Sequence, residues 1–366
     1  MTRALITGAS GFLGREVVAA LVDGGAELVA LLRARDAADL AQRLARLVEP
    51  LPEAARARVQ AVRGDVALPR FGLSPVEHAA LAERADRVVH VAATTSFDHP
   101  LDEARRINVG GTDGAIALAR AIRARGGPGR LDYVGTAYVA GDRTDLARED
   151  ELDVGQGFRN TYERSKCEAE KRVREAMREL PAAIHRPSII VGDSRSGVTT
   201  SYKTIYWPMK LLVRFYGLWR PVLPRLVRLP VKPDCRLDVV PVDWVAQAVA
   251  RLYASDAAVG GCFHLAAGPG AATIEELVNL CCDHFGVARL RYLDPDGPLR
   301  HLARAARPIL RRAAPRLAKN GELMLAYTRA NPRFDVTRAR AAGLAPPAVA
   351  DYFHRLVAFA FARDFR

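Results

Sequence analysis

Ala4-Leu5-Ile6-Thr7-Gly8-Ala9-Ser10-Gly11-Phe12-Leu13-Gly14 opens the chain with a short apolar strand and a glycine triplet, and the helical pattern Val17, Val18, Leu21 follows. Where a first strand passes into a first helix, Gly8 suits a tight turn, Gly11 a close backbone approach and Gly14 a close helix contact. A pyrophosphate can then sit on the exposed amides of the helix N-terminus. The placement points to dinucleotide binding, with a plain turn as the competing reading.

Strand and helix patterns alternate from there. Glu27 to Leu32, Val59 to Arg63, Arg87 to Ala92, Leu131 to Val134 and Ala183 to Arg186 read as further strands. Ala37 to Arg58 reads as a helix broken by Pro50 and Pro52, and Ile107 to Thr112 opens another. The expected fold is therefore α/β, a Rossmann-type doubly wound parallel sheet with its ligand at the carboxyl ends of the strands. His90, inside an apolar strand, reads as structural. The second strand ends in Arg33 and Arg35 with no carboxylate at its tip. An arginine there suits the 2′-phosphate of NADP, whereas an acid would hold the ribose hydroxyl of NAD. A solvated loop charge at Arg33 is the alternative.

Tyr162 and Lys166 lie four residues apart in Asn160-Thr161-Tyr162-Glu163-Arg164-Ser165-Lys166, so on a helix both can face one small volume. A free phenol, with a pKa near ~10, is a weak acid at neutral pH, and a neighbouring cation is expected to lower it. Thr136, at the tip of the fifth strand, adds a hydroxyl to the same cleft, and a carbonyl-reducing site requires such donors. Each feature alone is commonplace.

Among 366 residues, 49% are hydrophobic and 26% charged, as in an ordinary globular protein. No linker divides the chain, and the expected division is residues 1–195, the nucleotide-binding domain, and 196–366, a smaller, mainly helical substrate-binding lobe. Residues 235–265 are expected to return to the main sheet. The five cysteines (Cys167, Cys235, Cys262, Cys281, Cys282) lack CxxC or histidine-ligand spacing. They read as reduced thiols of a cytoplasmic protein, without a disulfide framework or metal site. No charged leader with an apolar signal region is read at the start, and no apolar run approaches the roughly 20 residues of a spanning helix.

The net charge of +13 is concentrated in two acid-free stretches. Eight basic residues fall between Ser194 and Pro233, and seven between Gly297 and Gly321. The first interleaves them with bulky apolar residues such as Tyr206, Trp207 and Phe215. It reads either as a partner-binding cover over a greasy tunnel, its cations meeting carrier phosphates or anionic lipid, or as a core helix with a solvated basic face. Nucleic acid is not expected, since no reader motif accompanies the charge.

TGASGFLG, Gly64-Asp65-Val66, His90-Val91-Ala92-Ala93, Asn108-Val109-Gly110-Gly111-Thr112 and the Tyr162/Lys166 pair, in that order, resemble the extended short-chain dehydrogenase/reductase superfamily over roughly residues 1–200. Within it the chain resembles the fatty acyl-CoA reductase and thioester reductase branch. The pointers are the GFLG ending, Ser96-Phe97-Asp98-His99-Pro100-Leu101 before Ile107-Asn108-Val109, and RPSIIVGDSRSG from Arg186 to Gly197. The resemblance implies Thr136, Tyr162 and Lys166 as the catalytic group. It implies Thr7, Gly8, Ser10, Gly11, Phe12, Leu13 and Gly14 around the pyrophosphate, Arg33 at the 2′-phosphate, Asp65 and Val66 at the adenine, and Ala92, Pro187 and Ser188 by the nicotinamide. Tyr162 and Lys166 would also touch the cofactor.

The function expected is NADPH-dependent reduction of a hydrophobic acyl thioester, on CoA or an acyl-carrier protein, to an aldehyde or alcohol. A hydroxysteroid-like dehydrogenase or sugar-nucleotide epimerase is the alternative chemistry, and a non-catalytic dinucleotide-sensing scaffold the alternative of another class. Beyond the thioester donor, the expected partners are a second copy of the chain and an anionic membrane surface.

Overall fold

In the computed structural model, described residues are 2–202, 205–206, 208–210, 228–297, 312, 327–328 and 331–365. Half of the first basic stretch and all of the second except Gly297 and Arg312 therefore lie outside the described residues. Seven strands form the central sheet: β1 (Arg3–Thr7), β2 (Glu27–Leu32), β3 (Val59–Arg63), β4 (Arg87–His90), β5 (Arg130–Val134), β6 (Ala182–Pro187) and β7 (Cys262–Leu265). Their order is β7-β6-β5-β4-β1-β2-β3 and every neighbouring pair is parallel. The chain moves out through β2 and β3 and returns to place β4 beside β1, so a crevice opens between the carboxyl ends of those two strands.

Alternation of side chains along the strands feeds two cores. Ala4, Ile6, Leu28, Ala30 and Leu32 point to one face, where α1 (Phe12–Asp23) sends Val17, Val18 and Leu21 to meet Val245, Val249 and Leu252 of a helix at Val242–Ala254. Leu5, Val29, Leu31, Val88 and Leu131 point to the other, against the long α-helix Leu101–Ala124 and the helix Thr161–Ala176. Covered on both sides, the strands read as continuous apolar runs.

The helix Thr161–Ala176 is polar along its length, yet it buries Glu163, Lys166 and Glu170 on one face. Its seating depends on polar partners. Asn160 caps it by accepting from the Glu163 amide at 2.9 Å, Asn108 Nδ2 donates to Ser165 Oγ at 2.9 Å, and Arg105 makes two 2.7 Å bonds to Glu168.

Several boundaries differ from the sequence expectation. The long helix begins at Leu101, directly after Pro100, so Ile107 to Thr112 lies inside it. The broken second helix resolves into Ala37–Val48 and Glu53–Arg56 on either side of the prolines. β4 stops at His90, where the chain leaves the sheet to line the crevice. Cys262–Leu265 joins the main sheet against β6, whereas Val239–Pro241 pairs with Ile189–Val191 in a separate two-stranded ladder. Thr273 and Glu276 form a capping box at the start of the helix Ile274–Phe285. That helix, Val349–Ala362 and short strand pairs enclose a further core containing Tyr138, Leu277, Phe334, Tyr352, Phe353 and Leu356.

Candidate active site

The crevice is a cleft of about 800 Å³. At its floor Gly8 has φ +75°, and a Cβ there would meet the Ala92 backbone nitrogen at 2.6 Å. A Cβ on Gly14 would meet the Gly8 carbonyl oxygen at 1.9 Å, so turn and helix touch backbone to backbone. Gly11 is the N-cap of α1, no side chain caps that end, and its first turn holds no acid. Amides left without side-chain acceptors at a helix N-terminus, opening into a cleft, fit a pyrophosphate.

Gly8, Ser10, Gly11, Phe12, Leu13, Gly14, Arg33, Asp65, Val66, Ala92, Thr136, Tyr162, Lys166, Pro187 and Ser188 all line this cleft. Thr7 does not. It is buried in β1, opposite His90 in β4, with its Oγ1 2.8 Å from His90 Nδ1 and accepting from the Ala92 amide at 3.3 Å. Its side chain sets the spacing of the two strands beneath the glycine turn. His90 is held neutral, its pKa pushed down to about 3 by burial and then by the Lys166 charge.

At the far end, Arg33 is exposed on the cleft wall, and Arg43 joins it from the helix Ala37–Val48. Arg43 Nε donates to Asp39 Oδ1 at 3.0 Å, while Asp39 Oδ2 accepts from the Arg35 amide at 3.0 Å. Asp36 is committed to capping the same helix. The nearby acids are thus engaged, and two guanidinium groups line this end. Arg43 was invisible to the reading of the strand tip, since it arrives one helix later; its spacing four residues after Asp39 was the available signal.

At the other end, Lys166 Nζ donates to the Val134 carbonyl at 2.8 Å and lies 4.4 Å from the Tyr133 ring centroid. Burial lowers its pKa to about 7, with Glu170 opposing. Thr136 Oγ1 accepts from the Tyr138 amide at 3.2 Å and donates to the Pro187 carbonyl at 3.4 Å. The Tyr162 phenol departs from expectation. Burial pushes its pKa up to about 12; hydrogen bonding with Thr136 pulls down and Glu163 pushes further up. Lys166, whose ammonium is turned to the Val134 carbonyl, does not offset that burial. The phenol therefore holds its proton at neutral pH, available to a stronger base that develops beside it.

An aromatic wall that the sequence did not reveal borders Tyr162. Phe97 stands edge-on to it at 5.9 Å, and Tyr327 lies 6.3 Å from Phe97 and 5.5 Å from Tyr138. Among the described residues no cluster of three or more His, Cys, Asp or Glu side chains is arranged to hold a metal, and no helix is long and apolar enough to cross a membrane.

A doubly wound parallel sheet, a glycine turn at its switch point and a cleft reaching a buried lysine and a tyrosine define a Rossmann-type protein built to take a dinucleotide. The family model described as Male sterility protein matches residues 6–249. A linear gramicidin synthase polypeptide of Brevibacillus parabrevis is 30% identical over 287 residues, which cover 75% of this chain and 5% of that protein. Fatty acyl-CoA reductase wat of Drosophila melanogaster is 28% identical, covering 67% of this chain and 52% of that protein. The terminal R domain from the myxalamid PKS-NRPS biosynthetic pathway superposes with a TM-score of 0.81 at 29% identity, covering 100% of this chain and 92% of that one. The chain belongs to the Male sterility protein family, in the thioester reductase branch of the extended short-chain dehydrogenase/reductases. It spans only a small part of the larger synthetases, 5% of the gramicidin synthase polypeptide and 20% of the Emericella nidulans glycine betaine reductase ATRR.

Proposed function

We propose that this chain is an NADPH-dependent reductase of a hydrophobic acyl thioester, carried on CoA or on a carrier protein, yielding an aldehyde or alcohol. The observation that carries the proposal is that Thr136, Tyr162 and Lys166 share one cleft with the bare α1 N-terminus and with Arg33 and Arg43. Relatives named as fatty acyl-CoA reductases and R domains support the thioester, and a thiolation-reductase di-domain from an archaeal synthetase shares the fold at a TM-score of 0.72. Residues 196–366 would supply the substrate-binding lobe.

The α1 N-terminus would hold the pyrophosphate, the two arginines the 2′-phosphate, Asp65 and Val66 the adenine, and Ala92, Pro187 and Ser188 the nicotinamide side. NADPH, once bound, supplies the hydride to the thioester carbonyl carbon. Thr136 and Tyr162 donate hydrogen bonds to the oxyanion as negative charge grows on it. Tyr162, still protonated at neutral pH, gives up its proton when the oxyanion becomes the stronger base. Lys166 would hold the ribose and, when protonated, stabilise the phenolate left behind. The resulting hemithioacetal is not attached to the protein and collapses to an aldehyde and a free thiol. No cysteine lines the cleft among the described residues, and burial raises the Cys167, Cys262, Cys281 and Cys282 thiols.

The test is NADPH oxidation followed optically with an acyl-CoA, a ketosteroid and a UDP-sugar in parallel. Oxidation with the thioester supports the proposal. Oxidation only with the ketosteroid, or epimerisation of the UDP-sugar without net consumption of cofactor, would transfer the site to one of the alternative chemistries.

A further inference from the structure

Tyr327 has no part in the chemistry above, yet it borders the same cleft. Its hydroxyl donates to Glu163 Oε1 at 2.6 Å and accepts from Asn160 Nδ2 at 2.9 Å. The Arg159 guanidinium lies 4.9 Å from the ring centroid. Its carbonyl accepts from Asn331 Nδ2 and, at 3.8 Å, from Cys235 Sγ. Both ends of the residue are held, and the hydroxyl is spent on a carboxylate that is itself fully buried. What remains for the cleft is apolar ring surface, continued by Phe97 up to Tyr162.

Glu163 is the residue next to Tyr162 on the same helix. One carboxylate therefore ties the helix that presents the phenol to a ring arriving 164 positions later in the chain. We infer that Tyr327 is a substrate-orienting residue: with Phe97 it forms an aromatic slot beside Tyr162 that grips the first carbons of an acyl chain, and Glu163 sets the pose of its ring. This rests on the thioester reductase reading. Aromatic rings offer wide apolar contact at low entropy cost, since only two side-chain torsions have to be fixed. Each methylene covered adds about 0.8 kcal/mol, roughly fourfold, so contact with two or three carbons amounts to about 30-fold.

The test compares wild type with Tyr327→Ala and Tyr327→Phe on acetyl-CoA and dodecanoyl-CoA, with NADPH affinity measured alongside. Tyr327→Ala is expected to lower kcat/KM for dodecanoyl-CoA about 30-fold and for acetyl-CoA, which has a single carbon beyond its carbonyl, by no more than about fourfold, with NADPH affinity unchanged. Tyr327→Phe, which keeps the ring, should recover most of the long-chain rate. An equal loss on both chain lengths would make Tyr327 a packing residue only, and no loss would remove it from the site; either result overturns the inference. If wild type turns over neither thioester, the functional reading fails separately. Calorimetric binding of dodecanal to the NADP-loaded protein then decides: at least about tenfold weaker binding in Tyr327→Ala sustains the slot, and unchanged binding overturns it.

Discussion

Replacing Glu170 by alanine should destabilise the protein by about 3–5 kcal/mol. Glu170 is fully buried on the inner face of the helix that carries Tyr162 and Lys166. Arg186, 2% exposed in β6, grips it with bonds of 2.6 and 2.8 Å, and Arg174 Nε adds a third at 2.9 Å. Burial alone would raise the Glu170 pKa, but Arg186 and then Arg174 outweigh it and hold the carboxyl below its usual range. Arg186 keeps only the Glu151 carbonyl and the neutral His264 ring when the carboxylate is removed, so a buried guanidinium loses its counter-charge. Urea unfolding at pH 7 measures the loss as a fall in midpoint at constant slope. Glu170→Gln should cost less, because it retains an acceptor. Replacing Glu170 and Arg186 together by apolar residues should recover much of the loss, as the buried charge goes with its partner. A loss below about 1 kcal/mol for Glu170→Ala would refute the claim that this pair seats the helix.

Three further outcomes follow from the same geometry. Gly14→Ala should abolish dinucleotide binding in calorimetry, since its Cβ would fall 1.9 Å from the Gly8 carbonyl oxygen and force the turn apart; retained affinity would contradict the backbone contact. Arg33→Ala and Arg43→Ala should each weaken NADPH about 10–100-fold, the worth of a charge-assisted hydrogen bond, while leaving NADH nearly unchanged; equal losses on both cofactors would contradict 2′-phosphate binding. His90 and His264, both lowered to about 3 mainly by burial, bind fewer protons folded than unfolded. Stability should therefore fall as pH drops from about 6.5 towards 3, by up to about 1.4 kcal/mol per pH unit for each. Urea midpoints at pH 6.5 and 4.5 check this, and equal midpoints would contradict it.

What the sequence made legible was local. Apolar runs of four to six residues, most of them followed by glycine or proline, marked the strands, and the triplet at Gly8, Gly11 and Gly14 marked the ligand end of the sheet, because those patterns depend only on neighbours in the chain. The Tyr162 acidity was misjudged because it is a tertiary quantity. A spacing of four sets where a phenol and an ammonium sit on a helix, but not that the ammonium binds the Val134 carbonyl or that burial outweighs it. Arg43 and Tyr327 were missed for a related reason: each reaches the cleft through the packing of a separate element. The partners of Glu163, Lys166 and Glu170 come from β5, β6 and Tyr327, elements remote from this helix in the chain.

The central claim is that Tyr162 protonates an oxyanion formed on an acyl thioester carbonyl. Its most direct test is single-turnover oxidation of bound NADPH by an acyl-CoA, in wild type and in Tyr162→Phe with matched cofactor affinity. The account predicts aldehyde formation by wild type and a rate at least about 100-fold lower in the variant. An undiminished rate in Tyr162→Phe would contradict it.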